Sequence, residues 1–209
     1  MLATIAVSVT IVALAGPGSP IANSVLRWWR ERRDRTAVDR HWVQLISRGH
    51  TLGHPRRKLV IEFADYECPY CRSADVVVSG WLSSRPDAGV VLVNYPLPIH
   101  AQADAAARAS DCAAAQGRFA QMHHELMSAS QWLADTSWLR VALLTGVRDT
   151  AAFRICLTDS LTTAGVEAAR RLGEIVDVRS TPTFISKRGR IVGVPSFRGL
   201  DRLAVGQDD

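Results

Sequence analysis

Cysteine is scarce in this chain, with four among 209 residues. Cys112 and Cys156 stand alone, and no second Cys-X-X-Cys or His-X-X-His accompanies the single motif Cys68-Pro69-Tyr70-Cys71. A structural zinc site takes four ligands, so that motif supplies only half of one. Internal repeats and low-complexity tracts are absent, which excludes repeat architectures. Basic excess is missing from most of the chain. Residues 27–58 hold ten basic and three acidic side chains, so of the net charge of +5 everything after Lys58 carries about −2. A nucleic-acid face needs basic residues on the domain itself, and nucleic acid is therefore not expected as a partner. The apolar content of 47% is ordinary for one principal globular domain of this length.

What is present centres on Cys68 and Cys71, which directly follow the apolar run Leu59-Val60-Ile61-Glu62-Phe63-Ala64. A strand running into Cys-X-X-Cys, with Pro69 suited to the first position of a helix, reads as a strand–turn–helix redox site. Cys68 then sits at a helix N-terminus, where unpaired N–H groups and the helix dipole stabilise a thiolate. That makes Cys68 the expected nucleophile and Cys71, a turn inside the helix, the resolving thiol. Glu62 interrupts the apolar run. A buried carboxylate is costly, so either it points outward or it has a task. A second signal lies far downstream in Ser180-Thr181-Pro182-Thr183-Phe184-Ile185, where a proline precedes a β-prone run and should begin a strand or mark a bulge.

Together these motifs resemble the DsbA-like thiol–disulfide oxidoreductases of the bacterial cell envelope. The resemblance covers roughly residues 41–203. It rests on the segment from Val60 to Cys71 and on Tyr95-Pro96-Leu97-Pro98-Ile99-His100. It continues in Cys112-Ala113-Ala114-Ala115-Gln116-Gly117-Arg118-Phe119 with Met122-His123, in Phe153 with Cys156-Leu157, and in Thr181-Pro182-Thr183-Phe184. The resemblance implies an α/β thioredoxin-like fold with an inserted helical domain. It also implies a cis peptide before Pro182, beside the cysteine pair, and a proton-exchanging role for Glu62 beneath the resolving thiol. Pro69 and Tyr70 tune the site from between the cysteines, and the Thr181 backbone can pair with an extended substrate segment. Some members of the family carry a second bridge, here Cys112 to Cys156. The alternative is two separate buried cysteines acting as small apolar residues.

The compartment turns on the N-terminus. Residues 2–26 contain no charged side chain, and Leu2–Ala15 is almost wholly apolar. That length suits the apolar region of a signal peptide, with Ala13-Leu14-Ala15 as a cleavage site. Extended to Leu26, it suits a membrane anchor, although Pro17 and Pro20 would break it. Arg27, Arg30, Arg32, Arg33 and Arg35 follow the segment, whereas the positive-inside bias holds such a cluster in the cytoplasm. The flanking charge can instead meet anionic headgroups.

The expected organisation is a signal or anchor segment over residues 1–26, then a basic helix and linker over 27–54. The first thioredoxin-fold part spans 55–98, the helical insertion 99–176 and the second part 177–205. Val38, Trp42, Leu45 and Ile46 form an apolar stripe on the basic helix over 24–48. Residues 49–55 read as a loop. His50 and His54 read as spacers there, and His100, His123 and His124 as solvated or packed surface. Asp65 and Glu67 line the approach to Cys68 and are expected to raise its pKa through like charge. No metal and no organic cofactor is expected. The functional expectation is an extracytoplasmic thiol–disulfide oxidoreductase that acts on thiol- or disulfide-bearing proteins and is recharged by a redox partner. A reductase or isomerase of the same fold, or a redox-inactive binding module, are the alternatives.

Overall fold

The computed structural model describes residues 19–134 and 137–206. Most of the expected signal or anchor segment, residues 1–18, lies outside the described residues. Its remainder begins the first helix, α1 (Pro20–Arg48). Pro20 opens this helix rather than breaking it, four residues before the expected start. The Ser19 Oγ accepts the Ala22 N–H at 3.0 Å, and a proline in the first turn forfeits no intrahelical bond. Among the described residues no helix is long and apolar enough to cross a membrane.

After α1 come β1 (His50–Gly53), β2 (Lys58–Ala64), α2 (Pro69–Ser83) and β3 (Ala88–Asn94). The stretch expected as a loop is thus largely a strand. His50, Thr51 and Leu52 pair antiparallel with β3, and Gly53, at φ 76°, ends the pairing. Short strands with mixed burial leave little periodic signal, which is why this one went unseen. Among the described residues six helices follow: α3 (Ala103–Ala114), α4 (Phe119–Ser128), α5 (Gln131–Ala134), α6 (Trp138–Leu144), α7 (Thr150–Thr158) and α8 (Ser160–Ile175). The chain closes with β4 (Thr183–Ser186), β5 (Gly189–Val192) and α9 (Phe197–Leu203).

The sheet order is β1-β3-β2-β4-β5, with β2 and β3 parallel and the outer pairings antiparallel. β2 is central, so its alternate residues serve two faces. Leu59, Ile61 and Phe63 pack with Val38, Trp42 and Leu45 of α1 and with Ala169 and Leu172 of α8. Here α8 comes so close that a Cβ on Gly173 would meet the Tyr95 ring at 2.5 Å. Val60, on the opposite face, packs with Ala74, Val78 and Trp81 of α2 and with Leu200 and Leu203 of α9. Asp201 of α9 fastens this face: it accepts Lys58 Nζ at 2.9 Å, Arg85 Nη2 at 2.9 Å and Trp81 Nε1 at 3.2 Å. The fold is therefore a mixed α/β thioredoxin-like sheet with a helical block inserted between β3 and β4.

The inserted helices form a third core that is continuous with the end of β2. Ala64, Tyr66, Cys68 and Cys71 belong to it, together with Ala109, Phe119, Met122, Leu126 and Phe153. Cys112 of α3 and Cys156 of α7 are joined by a disulfide, with their Cα atoms 5.8 Å apart. Closing a loop over a separation of 44 residues stabilises a fold by roughly 4 kcal/mol in the chain-entropy account. Cys112→Ala combined with Cys156→Ala should lose most of that in urea unfolding followed by circular dichroism. A loss below about 1 kcal/mol would show that the bridge constrains little.

Candidate active site

Cys68 is the N-cap of α2, in extended conformation, with Pro69 as the first helical residue. Its carbonyl accepts the N–H groups of Cys71 and Arg72 at 3.1 and 3.2 Å, which locks the strand–turn–helix corner. This placement leaves Cys68 4% exposed and Cys71 fully enclosed. Both thiols are free. From the far side of the sheet's edge, the Thr181–Pro182 peptide, which is cis, brings the Thr181 carbonyl to 3.4 Å from Cys68 Sγ. Thr181 Oγ1 is buried with no hydrogen-bond partner among the described residues. Tyr70 lies on the exposed rim.

The two sulfurs differ sharply in acidity. The Cys68 pKa is lowered to about 5. A hydrogen bond from the Cys71 thiol is the main cause. Burial opposes it, and Thr181 and the backbone N–H groups of Cys71 and Tyr70 reinforce it. Cys71 moves the opposite way: burial pushes its thiol far up, and its bond to Cys68 adds to the rise. The Asp65 N–H, 3.4 Å from Cys71 Sγ, partly offsets this.

Asp65 and Glu67 do not weaken the thiolate as their charges led us to expect. Both carboxylates are occupied in holding the loop that follows β3. Asp65 accepts the Glu67 N–H at 2.8 Å, the Leu97 N–H at 2.8 Å and His100 Nδ1 at 2.7 Å. Glu67 accepts the Gln102 N–H at 2.7 Å. The neutralising partners, together with the donors aimed at Cys68, outweigh the like-charge effect.

Glu62 points to the α2 face of β2 and is 2% exposed. Its Oε1 has no partner among the described residues. Burial, with Asp75 as a second cause, raises its pKa to about 8. A carboxylic acid that stays neutral near physiological pH beneath a thiol is able to exchange a proton with it.

Several residues dismissed from sequence turn out to be structural partners of this region. His50 bonds Asp111 at 2.8 Å and stacks on Phe119, so it is no spacer. His123 is buried and bonds Asp75 at 2.9 Å, whereas His124 faces solvent. The signal available was Met122-His123 at helical spacing, but only the packing of α4 on α2 shows its partner. Among the described residues no group of three His, Cys, Asp or Glu side chains converges as metal ligands.

Glu62 generates a prediction about stability. The folded chain retains its proton up to about pH 8, and an unfolded glutamate releases it near 4.5. Between those values the native state binds more protons, so stability falls as pH rises, by up to about 1.4 kcal/mol per pH unit. Glu62→Gln removes this titration. In the oxidised protein, the variant should gain stability on the parent progressively across that window. Parallel stability curves for parent and variant would contradict the raised pKa.

Comparison with known proteins agrees with this architecture. The family model described as thioredoxin matches residues 47–203. A solved thioredoxin-like oxidoreductase from Silicibacter pomeroyi is 29% identical, with a TM-score of 0.67 over 75% of this chain and 91% of its own. The thiol-disulfide exchange protein alpha-DsbA2 from Wolbachia pipientis, at 16% identity, superposes with a TM-score of 0.72 over 83% of this chain and 95% of its own. The Na+/H+ antiporter NhaA 3 of Salinispora tropica is 34% identical over 157 residues, which is 74% of this chain and 24% of the antiporter. The chain thus spans about a quarter of the length of the curated relatives it matches. Fold, cysteine pair and family match agree: the chain belongs to the thioredoxin family.

Proposed function

We propose that this protein donates disulfides to protein thiols outside the cytoplasm, through Cys68 and Cys71. The observation that carries the reading is the placement of the pair, with Cys68 capping α2, its Sγ 3.4 Å from the Thr181 carbonyl, and Cys71 enclosed one turn inside; it gives the two sulfurs opposed acidity. A substrate thiolate attacks Cys68 in the Cys68–Cys71 disulfide. The S–S bond breaks, and its electron pair leaves on Cys71, which takes up a proton. A second substrate thiolate then attacks the substrate sulfur of the mixed disulfide and expels Cys68 as a thiolate. A leaving group of pKa about 5 departs readily and favours the reduced enzyme, so the pair is poised as an oxidant. Turnover then requires a partner that reoxidises the pair.

Glu62, with its proton held to about pH 8, supplies the proton that Cys71 needs. Pro69 and Tyr70 set the corner between the sulfurs. The Thr181–Pro182 loop offers backbone beside Cys68 for an extended substrate segment. A Cys112–Cys156 bridge supports an oxidising compartment. Similarity to a quarter of an Na+/H+ antiporter supports a setting beside a membrane, with residues 1–26 as signal or anchor in the cell envelope.

Equilibration against glutathione buffers tests the direction. The potential should lie nearer about −120 mV than the about −270 mV of a reductive thioredoxin. A value at the reducing end would make the protein a reductase of the same chemistry. Iodoacetamide labelling of the reduced protein should modify Cys68 first, with a rate midpoint near pH 5. Cys71→Ala, which removes the main donor to Cys68, should move that midpoint upward; Cys71→Ser, which retains a hydroxyl donor, should move it less. First labelling at Cys71 would reverse the assignment.

A further inference from the structure

Helix α1 carries two apolar stripes, and the fold uses one of them. Val38, Trp42 and Leu45 of its second half are buried against the sheet and α8. Its first half repeats the same spacing in Ile21, Val25, Trp28 and Trp29, at i, i+4, i+7 and i+8. At 3.6 residues per turn the two stripes lie about a quarter-turn out of phase, so docking the second turns the first aside from the sheet. No residue of α1 before Ala37 belongs to any of the three cores described above. Among the described side chains of that half only Ala22 is buried, whereas Ile21, Leu26 and Trp28 are 60%, 42% and 42% exposed. About four turns of helix thus extend beyond those cores, and a helix of that length is marginal in water by itself.

The same half is basic. Residues 19–36 hold Arg27, Arg30, Arg32, Arg33 and Arg35 against Glu31 and Asp34, a balance of +3. Of these, Arg27, Arg32, Arg33 and Arg35 are exposed. Trp28 and Trp29 meet edge to face, with ring centroids 5.0 Å apart, and the Arg32 guanidinium lies 5.3 Å from the centroid of the Trp28 ring. An arginine stem laid along an indole sets a cationic head beside an apolar body. The stripe alone could meet any apolar surface, but the arginines beside it select a partner that is both apolar and anionic. A bilayer surface offers this pairing, with indoles at headgroup level and arginines on phosphates. So many charges are costly in the hydrocarbon interior, and among the described residues no helix is long and apolar enough to cross it. The helix therefore suits lying on a membrane rather than through one.

We propose that residues 20–36 of α1 lie along an anionic lipid surface, with Ile21, Val25, Trp28 and Trp29 at headgroup level and the arginines on lipid phosphates. The inference rests on the proposed setting beside a membrane, and it names the lipid class and the residues that meet it. The second half of α1 is packed on one face of the sheet, whereas α2, which carries the cysteine pair, packs on the other. Docking on lipid thus does not use the face that performs the exchange.

Flotation of the full chain with vesicles tests this, using phosphatidylcholine alone or mixed with phosphatidylglycerol. The parent should bind the anionic vesicles at least about tenfold more tightly, and high salt should shrink the preference. Arg27→Gln, Arg32→Gln, Arg33→Gln and Arg35→Gln combined should remove the preference and leave disulfide exchange with glutathione unchanged. Bromine-labelled phosphatidylglycerol should quench tryptophan fluorescence in the parent, and Trp28→Phe with Trp29→Phe should abolish most of that quenching. Equal retention by both vesicle types would overturn the inference and leave the membrane setting standing; retention by neither would overturn both. An anionic preference undiminished in the arginine variant would overturn the inference, as would quenching that persists without Trp28 and Trp29. So would lipid-free self-association that Trp28→Ala abolishes, because a second copy would then cover the stripe.

Discussion

The juxtaposition of the two active-site thiols at the mouth of α2, where each shifts the acidity of the other, is the constraint on which the rest of the site depends. It arises because Cys68 caps α2 and Cys71 lies one turn inside, so both sulfurs are buried at the helix mouth, Cys68 4% exposed and Cys71 fully enclosed. A single geometric relation therefore does two opposed things. It supplies a donor to Cys68 and lowers its pKa, and it ties the Cys71 proton in place and raises its pKa. The pair is asymmetric before any substrate arrives, and that asymmetry decides which sulfur is attacked and which is the better leaving group.

Such a relation survives only if the helix mouth is held from several sides. β2 delivers the chain into the corner, and Asp65, the first residue after it, binds the loop after β3 through two donors, the Leu97 N–H and His100 Nδ1. The Thr181–Pro182 loop closes the site from the opposite strand. Arg72, just past the pair, donates to the Ala129 carbonyl and lies over the Trp132 ring, which ties α2 to the inserted helices. The insertion is thus part of the site's frame as well as a lid on the sheet. Its own core shares Tyr66, Cys68 and Cys71 with the thioredoxin sheet.

Much of this was legible in the sequence because it is carried by local patterns. The apolar run of β2, the proline after Cys68 and the proline before β4 each have a short-range physical meaning that needs no tertiary knowledge. The Val38, Trp42 and Leu45 stripe likewise signals a docked helix, and it packs on α8 and the sheet. What stayed hidden depends on contacts between distant segments. His50 and Asp111 are 61 residues apart, Asp75 and His123 are 48, and Asp65 and His100 are 35. No periodicity announces such pairs. β1 was missed for a related reason, since a four-residue edge strand acquires its identity from the partner it meets. The Asp65 error has the same root: the charge of a carboxylate is readable from sequence, but the donors that surround it are not.

The distribution of buried polar groups ties fold to chemistry. On the face of β2 that meets α1 and α8, the buried side chains Leu59, Ile61 and Phe63 are apolar, as a stable sheet requires. On the other face, Glu62 stands between Val60 and Ala64, buried, with its Oε1 unsatisfied among the described residues. An orphaned buried carboxyl is a cost to stability that packing alone would remove by substituting an apolar residue. In the proposed cycle, that cost falls where a proton must be handled out of solvent's reach. Asp75 and His123 extend the same exception outward, into the seam between α2 and α4.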